Sequence, residues 1–169
     1  YKDFGNNAIM TSDGAGVVTP NASGIKNTPA FFASQTVAQA VANTTVTQLQ
    51  FNTEEFDTDS AYDTSTYKFT PQTAGKYSLF ACVMFNTGTD FDQIECSIKK
   101  NGTIYSSNIF VNQNYNSSVV TTIVDMNGSS DYVEVYAYQN SGGSLNTYPD
   151  DGSGNYKYVR FSGYKLIGV

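Results

Sequence analysis

Tyr77-Ser78-Leu79-Phe80-Ala81-Cys82-Val83-Met84-Phe85 is the stretch that decides the fold class of this 169-residue chain. Pro71 and Gly75 precede it, so a turn leads into it, and Ser78 is its one hydroxylic residue outside the aromatic ring of Tyr77. The run is short, bounded by turn residues and rich in side chains that suit a pleated surface, which fits a strand better than a helix. Side chains alternate between faces along a strand, and here both faces are apolar. The strand is therefore expected to be central, with its second face covered as well, for instance by a neighbouring subunit.

The same vocabulary recurs on either side. Phe31-Phe32-Ala33-Ser34, Val46-Thr47-Gln48-Leu49-Gln50-Phe51 and Tyr67-Lys68-Phe69 precede the run. Ile94-Glu95-Cys96-Ser97-Ile98-Lys99, Ile104-Tyr105, residues 119–124, residues 132–138 and residues 158–167 follow it. Lys100-Asn101-Gly102 is a hairpin signal, because Asn-Gly tolerates positive φ. No segment carries a sustained helical period, and short strands at this spacing predict an all-β sandwich or jelly roll over residues 29–169. Residues 1–28 read as a stem or linker. Gly, Asn, Ser and Thr dominate there, Asp13-Gly14-Ala15-Gly16 marks a turn, and only Ala8-Ile9-Met10 and Val17-Val18 suggest strands. Tyr1-Lys2-Asp3-Phe4 lacks the apolar core of a secretory signal, and with Tyr at residue 1 further sequence upstream is expected.

Composition narrows the function classes. A net charge of −6 without any Lys/Arg run repels phosphate backbones, so nucleic acid is not an expected partner. The apolar runs fall far short of the roughly 20 residues that a spanning helix requires, and no membrane insertion is expected. With no His, the ordinary serine and cysteine triads and imidazole metal sites are absent. Carboxylate pairs for glycoside cleavage remain, with Glu54/Glu55 and Asp150/Asp151 as candidates. Adjacent residues on a strand face opposite ways, so Glu54 and Glu55 would not flank one bond, and the chain is not expected to be an enzyme. Cys82 and Cys96 are too few for a disulfide framework and are expected as core thiols.

Phe51, Asp57, Tyr62, Phe69, Gly75 and Tyr77 stand at spacings that resemble the signature of the complement C1q head domain, related to the tumour-necrosis-factor (TNF) jelly roll. The signature continues with two aromatics where this chain has Leu79 and Ala81. Phe161-Ser162-Gly163-Tyr164-Lys165-Leu166 resembles the closing strand of the same family. The residues also suit these places physically. The aromatics can fill a core, Gly75 permits a turn that a Cβ disfavours, and Asp57 can cap a loop through its side chain. The resemblance implies a C1q/TNF-like jelly roll of about ten strands forming a tight homotrimer around an aromatic sheet face. Phe80, Met84, Phe85, Tyr136 and Tyr138 are the candidate interface residues under it. The N-terminal segment leading into Pro29-Ala30-Phe31-Phe32 is similar in style to the stem-to-head junction of bacteriophage fibres that end in C1q-like heads, and no Gly-X-Y stalk is present.

Loops carry the remaining candidate chemistry. The stretch from Gln139 to Tyr158 is rich in Gly, Asn, Ser, Asp and Tyr, and loops on a rigid sandwich are where binding surfaces are placed. Tyr148, Tyr156 and Tyr158 can stack on sugar faces, while Asn146, Asp150, Asp151 and Asn155 can hydrogen-bond hydroxyls; the plainer alternative is a solvated loop. Asn112-Gln113-Asn114-Tyr115-Asn116 is a second loop of this kind. Asp57, Asp59 and Asp63 offer oxygens for Ca²⁺ but lack the Gly and distal Glu of an EF-hand, so a turn-forming loop is preferred and no cofactor is expected. The expectation is a non-enzymatic trimeric fibre or knob head on a virion surface. Its partners would be itself, upstream fibre or capsid/tail proteins, and a host surface glycan or protein. The alternatives are an architectural trimerisation or decoration domain without a receptor, and a secreted, extracellular C1q-like ligand.

Overall fold

The computed structural model describes residues 2, 10–20, 27–86, 91–113, 116–149 and 156–167. In chain order the extended segments are β1 (Met10–Ser12), β2 (Val18–Pro20), β3 (Ala30–Ser34), β4 (Ala40–Val41), β5 (Thr47–Gln48), β6 (Thr53–Asp57), β7 (Tyr62–Asp63), β8 (Lys68–Phe69), β9 (Gly75–Met84), β10 (Phe91–Lys100), β11 (Thr103–Gln113), β12 (Ser117–Met126), β13 (Val133–Gln139), β14 (Leu145–Asn146) and β15 (Arg160–Lys165). No helix occurs among the described residues. Two antiparallel sheets form the body. One has the order β12-β9-β15-β3-β6; the other runs β11-β10-β13-β8-β7, with β5 also paired to β13. We call them the β9 sheet and the β13 sheet. The β1-β2 hairpin and a short pair between the distant β14 and β4 complete the pattern.

The β9 sheet bears out the central place of that run. β9 lies between β12 and β15, and Tyr77, Leu79, Ala81 and Val83 enter the core at alternate positions. From the β13 sheet Ile94, Cys96, Ile98, Val133, Val135 and Ala137 meet them. An aromatic cluster fills one end. Phe31 stacks on Phe69 (4.2 Å) and Tyr62 (5.4 Å), its ring meets the edge of Phe161 (4.8 Å), and Phe51 lies 5.7 Å from Phe161. Such stacked and edge-on pairs add to the stabilisation from burial. The aromatics of the C1q-like spacing, Phe51, Tyr62, Phe69 and Tyr77, are all buried. The Tyr62 hydroxyl keeps a partner by donating to the Phe51 carbonyl (3.1 Å).

Two glycines are required by geometry. Gly75 sits at φ +144°, and Gly163 lies where an added Cβ would come within 2.5 Å of Leu79 Cδ2 and 3.1 Å of Phe31 Cε1. The Asn101-Gly102 hairpin forms as expected, with φ of 51° and 81°. Cys82 and Cys96 are free, buried thiols, and burial pushes the Cys96 thiol well above its ordinary range. Within residues 1–28, β1 and β2 pair around a turn held by Asp13, whose Oδ1 accepts from the N–H groups of Ala15 and Val17. Ala8 and Ile9 lie outside the described residues.

Candidate assembly face and recognition loop

Strand registers on the β9 sheet place its outward residues in rows. Thr121, Phe80, Ser162, Phe32 and Phe56 form one row across all five strands. Ile123, Ser78, Tyr164 and Ala30 form the next, and Val119, Cys82, Arg160 and Ser34 the one beyond. A water-facing sheet surface alternates to polar residues, but this one carries Phe56, Ile123 and Tyr164 at 51%, 54% and 44% exposure, with Val119 beside them. Phe32 meets the edge of Phe56 (6.3 Å), and the Arg160 guanidinium lies 5.2 Å from the Phe80 ring. Between β6, β3 and β15 the face opens into a concavity of about 380 Å³ lined by Phe32, Phe56, Arg160, Ser162 and Tyr164.

The apolar surface turns the corner at β12. β11, the edge of the β13 sheet, runs alongside it and exposes Ile104, Ile109 and Val111. Asn108 Nδ2 donates to the Val119 carbonyl (2.6 Å), Ser118 Oγ to the Asn108 carbonyl (3.0 Å) and the Tyr105 hydroxyl to the Ile123 carbonyl (3.2 Å). These side chains occupy carbonyls that an open sheet edge would otherwise offer to another chain.

The five candidate interface residues do not share one surface. Phe80 is on the outward face just described and is half-buried there. Met84 is half-buried and packs against the core. Phe85 is a correction: it is fully buried in the core and bridges to Thr147, so it is unavailable to a second copy. Its position continues the inward parity of Ala81 and Val83. Tyr136 and Tyr138 alternate with the buried Val135 and Ala137 and so face outward from the β13 sheet, on the other side of the sandwich. There the Lys99 ammonium lies 3.6 Å from the Tyr136 ring centroid. Sequence reasoning missed Phe32, Phe56, Val119, Ile123 and Tyr164. The available signal was Phe56, a lone aromatic in the acidic stretch Glu54-Glu55-Phe56-Asp57.

The candidate recognition loop is anchored at both ends. Asn146 is exposed in β14, which pairs with β4, while Asp150, Asp151 and Asn155 lie outside the described residues. Tyr148, Tyr158 and Tyr156 stack on one another. Tyr158 is the middle ring, 5.4 Å from Tyr148 at 14° and 5.8 Å from Tyr156 at 2°. The loop's beginning lines a polar cleft of about 390 Å³ with Asn43, Thr44, Asp92, Asn140, Ser141 and Gly142. In the second candidate loop, Asn114 and Tyr115 lie outside the described residues; Asn116 donates through Nδ2 to the Phe85 carbonyl (3.1 Å).

The acidic loop is built as turns held by its own carboxylates. Asp57 accepts from the N–H groups of Asp59 (3.1 Å) and Tyr62 (2.6 Å), and Asp59 from the Thr58 hydroxyl (2.7 Å). Asp63 accepts from the Ser65 hydroxyl and N–H and from Thr66, which hold its carboxyl down at about 2. Each carboxylate is engaged by its own turn, as the turn-forming reading of the loop expects, and no group of three metal-ligating side chains occurs among the described residues. Glu55 accepts from Ser34 Oγ (2.6 Å) and pairs with Lys157 (3.1 Å); the Ser34 hydroxyl is the main cause of its lowered pKa.

No family model matches the chain, and no curated protein matches it. Among solved structures it is similar to the globular domain of the zebrafish complement 1qA protein, at 14% identity and a TM-score of 0.53, over 83% of this chain and 98% of that one. It is also similar to murine APRIL at pH 8.0, at 13% identity and a TM-score of 0.60, over 81% and 98% of the two chains. The vertex protein P5 of phage PRD1 matches at 12% identity and a TM-score of 0.60, over 83% of this chain and 99% of that one. Likeness at these identities establishes the fold, and the chain has an all-β jelly-roll fold like that of the C1q and TNF-family domains.

Proposed function

We propose that this chain is the non-enzymatic, homotrimeric head of a virion fibre or vertex structure, with residues 1–28 as its stem. The head assembles through the outward face of the β9 sheet and attaches to a host-surface glycan or protein. The observation that carries the assembly is the aromatic row across that face, in which Phe56 is exposed and Phe32 and Phe80 are half-buried, with Ile123 and Tyr164 exposed beside it. Contiguous apolar surface of this kind, rimmed by polar residues, marks an interaction site. The adjoining β11 edge, with Ile109 and Val111, supplies a second and different apolar surface. An edge of one copy seated on the face of the next is a heterologous contact, which forms a ring where the rotation between copies closes. The number three comes from the resemblance to C1q and TNF domains, and the likeness to a phage vertex protein supports the virion setting.

Light scattering at micromolar concentration tests the reading. The wild-type head should run at three times the 18.4 kDa chain mass, and Phe56→Glu combined with Tyr164→Glu should give monomers with an unchanged β-type circular dichroism spectrum. A wild-type monomer overturns the proposal. Binding of the isolated head to host cells distinguishes attachment from a purely architectural cap, which should not bind.

A further inference from the structure

We infer that the Tyr148-Tyr158-Tyr156 stack is a one-sided platform for a neutral sugar ring, with the outer face of Tyr156 as its contact surface. The inference rests on the reading of the chain as an attachment head. The stack itself supplies the first argument. Tyr158 is the middle ring, in contact with both others, and Tyr156 lies parallel to it at 2° while remaining 56% exposed. The stack thus ends toward solvent on the exposed Tyr156 ring, with Tyr158 and Tyr148 behind it. An aromatic face carries partial negative charge, and the weakly positive C–H groups on the apolar side of a pyranose complement it, while phenol hydroxyls at the rim remain wet.

The limbs that carry Tyr148 and Tyr158 are tied together beneath the stack. Gln35 is fully buried and joins the two limbs that carry the stack: its N–H donates to the Val159 carbonyl (3.0 Å), and its Oε1 accepts from Thr147 Oγ1 (2.7 Å). Thr147 is itself buried and donates its N–H to the Gln39 carbonyl (2.8 Å), while the N–H of Tyr148 reaches the Met84 carbonyl (2.7 Å). On the other limb the N–H of Tyr158 donates to the Pro149 carbonyl (2.9 Å). A surface fixed in this way loses little conformational entropy on binding, and tyrosine itself has few torsions to freeze.

Charge selects the ligand class. The cations beside the stack are engaged elsewhere: Lys157 pairs with Glu55 at 3.1 Å, and Arg160 donates through Nη1 to the Lys157 carbonyl (2.8 Å) with its guanidinium over Phe80. Lys157 is neutralised by the Glu55 carboxylate, Arg160 is turned onto a backbone carbonyl and an aromatic ring, and the chain as a whole is acidic. A neutral hexose or N-acetylhexosamine unit therefore fits better than a sialylated or phosphorylated one.

The test uses the full chain with three probes: maltohexaose, the hexamer of N-acetylglucosamine, and 3′-sialyllactose. Saturation-transfer NMR should show transfer to ring C–H protons of at least one neutral hexamer. Tyr156→Ala should weaken that binding by about tenfold or more and Tyr156→Phe by less than about threefold, a difference read as a change in Kd. No transfer to either hexamer at millimolar concentration, transfer to the sialylated probe alone, or equal binding by Tyr156→Ala overturns the inference. Light scattering on the same samples separates the two readings. A trimer that binds host cells but gives no transfer loses the platform alone, and a monomer that shows the Tyr156-dependent transfer keeps the platform and loses the trimer.

Discussion

Gly163 shows how one residue of the closing strand is fixed by packing alone. It pairs across to Leu79 on one side and Phe31 on the other, and its missing side chain is what lets Leu79 and the Phe31 ring close over β15. Gly163→Ala places a methyl group against Leu79 in a filled core, and urea denaturation should show a loss of about 2–3 kcal/mol, the cost of overpacking without an easy route to relax. The spacing of Phe51, Tyr62, Phe69 and Tyr77 was legible because each is a large side chain whose only stable place is the core. Phe85 was misread because a run apolar at both parities does not say which residues face inward; the register of β9 against β12 and β15 does. The carboxylates of Asp57 and Asp63 were legible as turn-formers, since short acidic side chains reach their own backbone N–H groups before they can converge on an ion.

Elements were legible where burial follows the alternation and hidden where tertiary contacts override propensity. β10 and β13 read directly from their apolar alternation. β11 did not, because Ser106-Ser107-Asn108 breaks the pattern and only Ile104-Tyr105 stood out. The polar residues belong there because β11 is an edge strand whose Asn108 and Tyr105 reach across to the carbonyls of β12. Residues 46–51 read as one strand, but only Thr47–Gln48 pairs with β13 before Leu49 and Phe51 enter the core. Gln35 was invisible to pattern reasoning, since a buried amide carries no period. It staples the segment after β3 to the limbs flanking the tyrosine stack through Thr147 and Val159. Gln35→Leu keeps the backbone bond to Val159 but leaves the buried Thr147 hydroxyl and the Gln39 side chain with a poorer set of partners. It should lower stability by about 1–3 kcal/mol in urea denaturation and weaken the near-ultraviolet circular dichroism of the tyrosines.

At the scale of the whole molecule, the sandwich has two unlike outer faces. The β13 sheet covers its outward tyrosines with charged and polar neighbours, as where Lys99 lies over Tyr136 and Lys68 over Tyr132. The β9 sheet has Arg160 over Phe80 but leaves Phe56, Ile123 and Tyr164 exposed. That asymmetry was foreshadowed by the doubly apolar run at residues 77–85, although the residues that expose most area come from β3, β6, β12 and β15. Sequence shows a strand's two parities, and only sheet order shows which parities of five strands fall together. Hydroxyl-radical footprinting of the native head at micromolar concentration tests the assembly face most directly. Phe56 and Tyr164 should be protected several-fold relative to Tyr156, which the account leaves in solvent although all three are comparably exposed in a single chain. Oxidation of Phe56 and Tyr164 at a solvent-accessible rate matching that of Tyr156 would show that face open to water and contradict assembly through it.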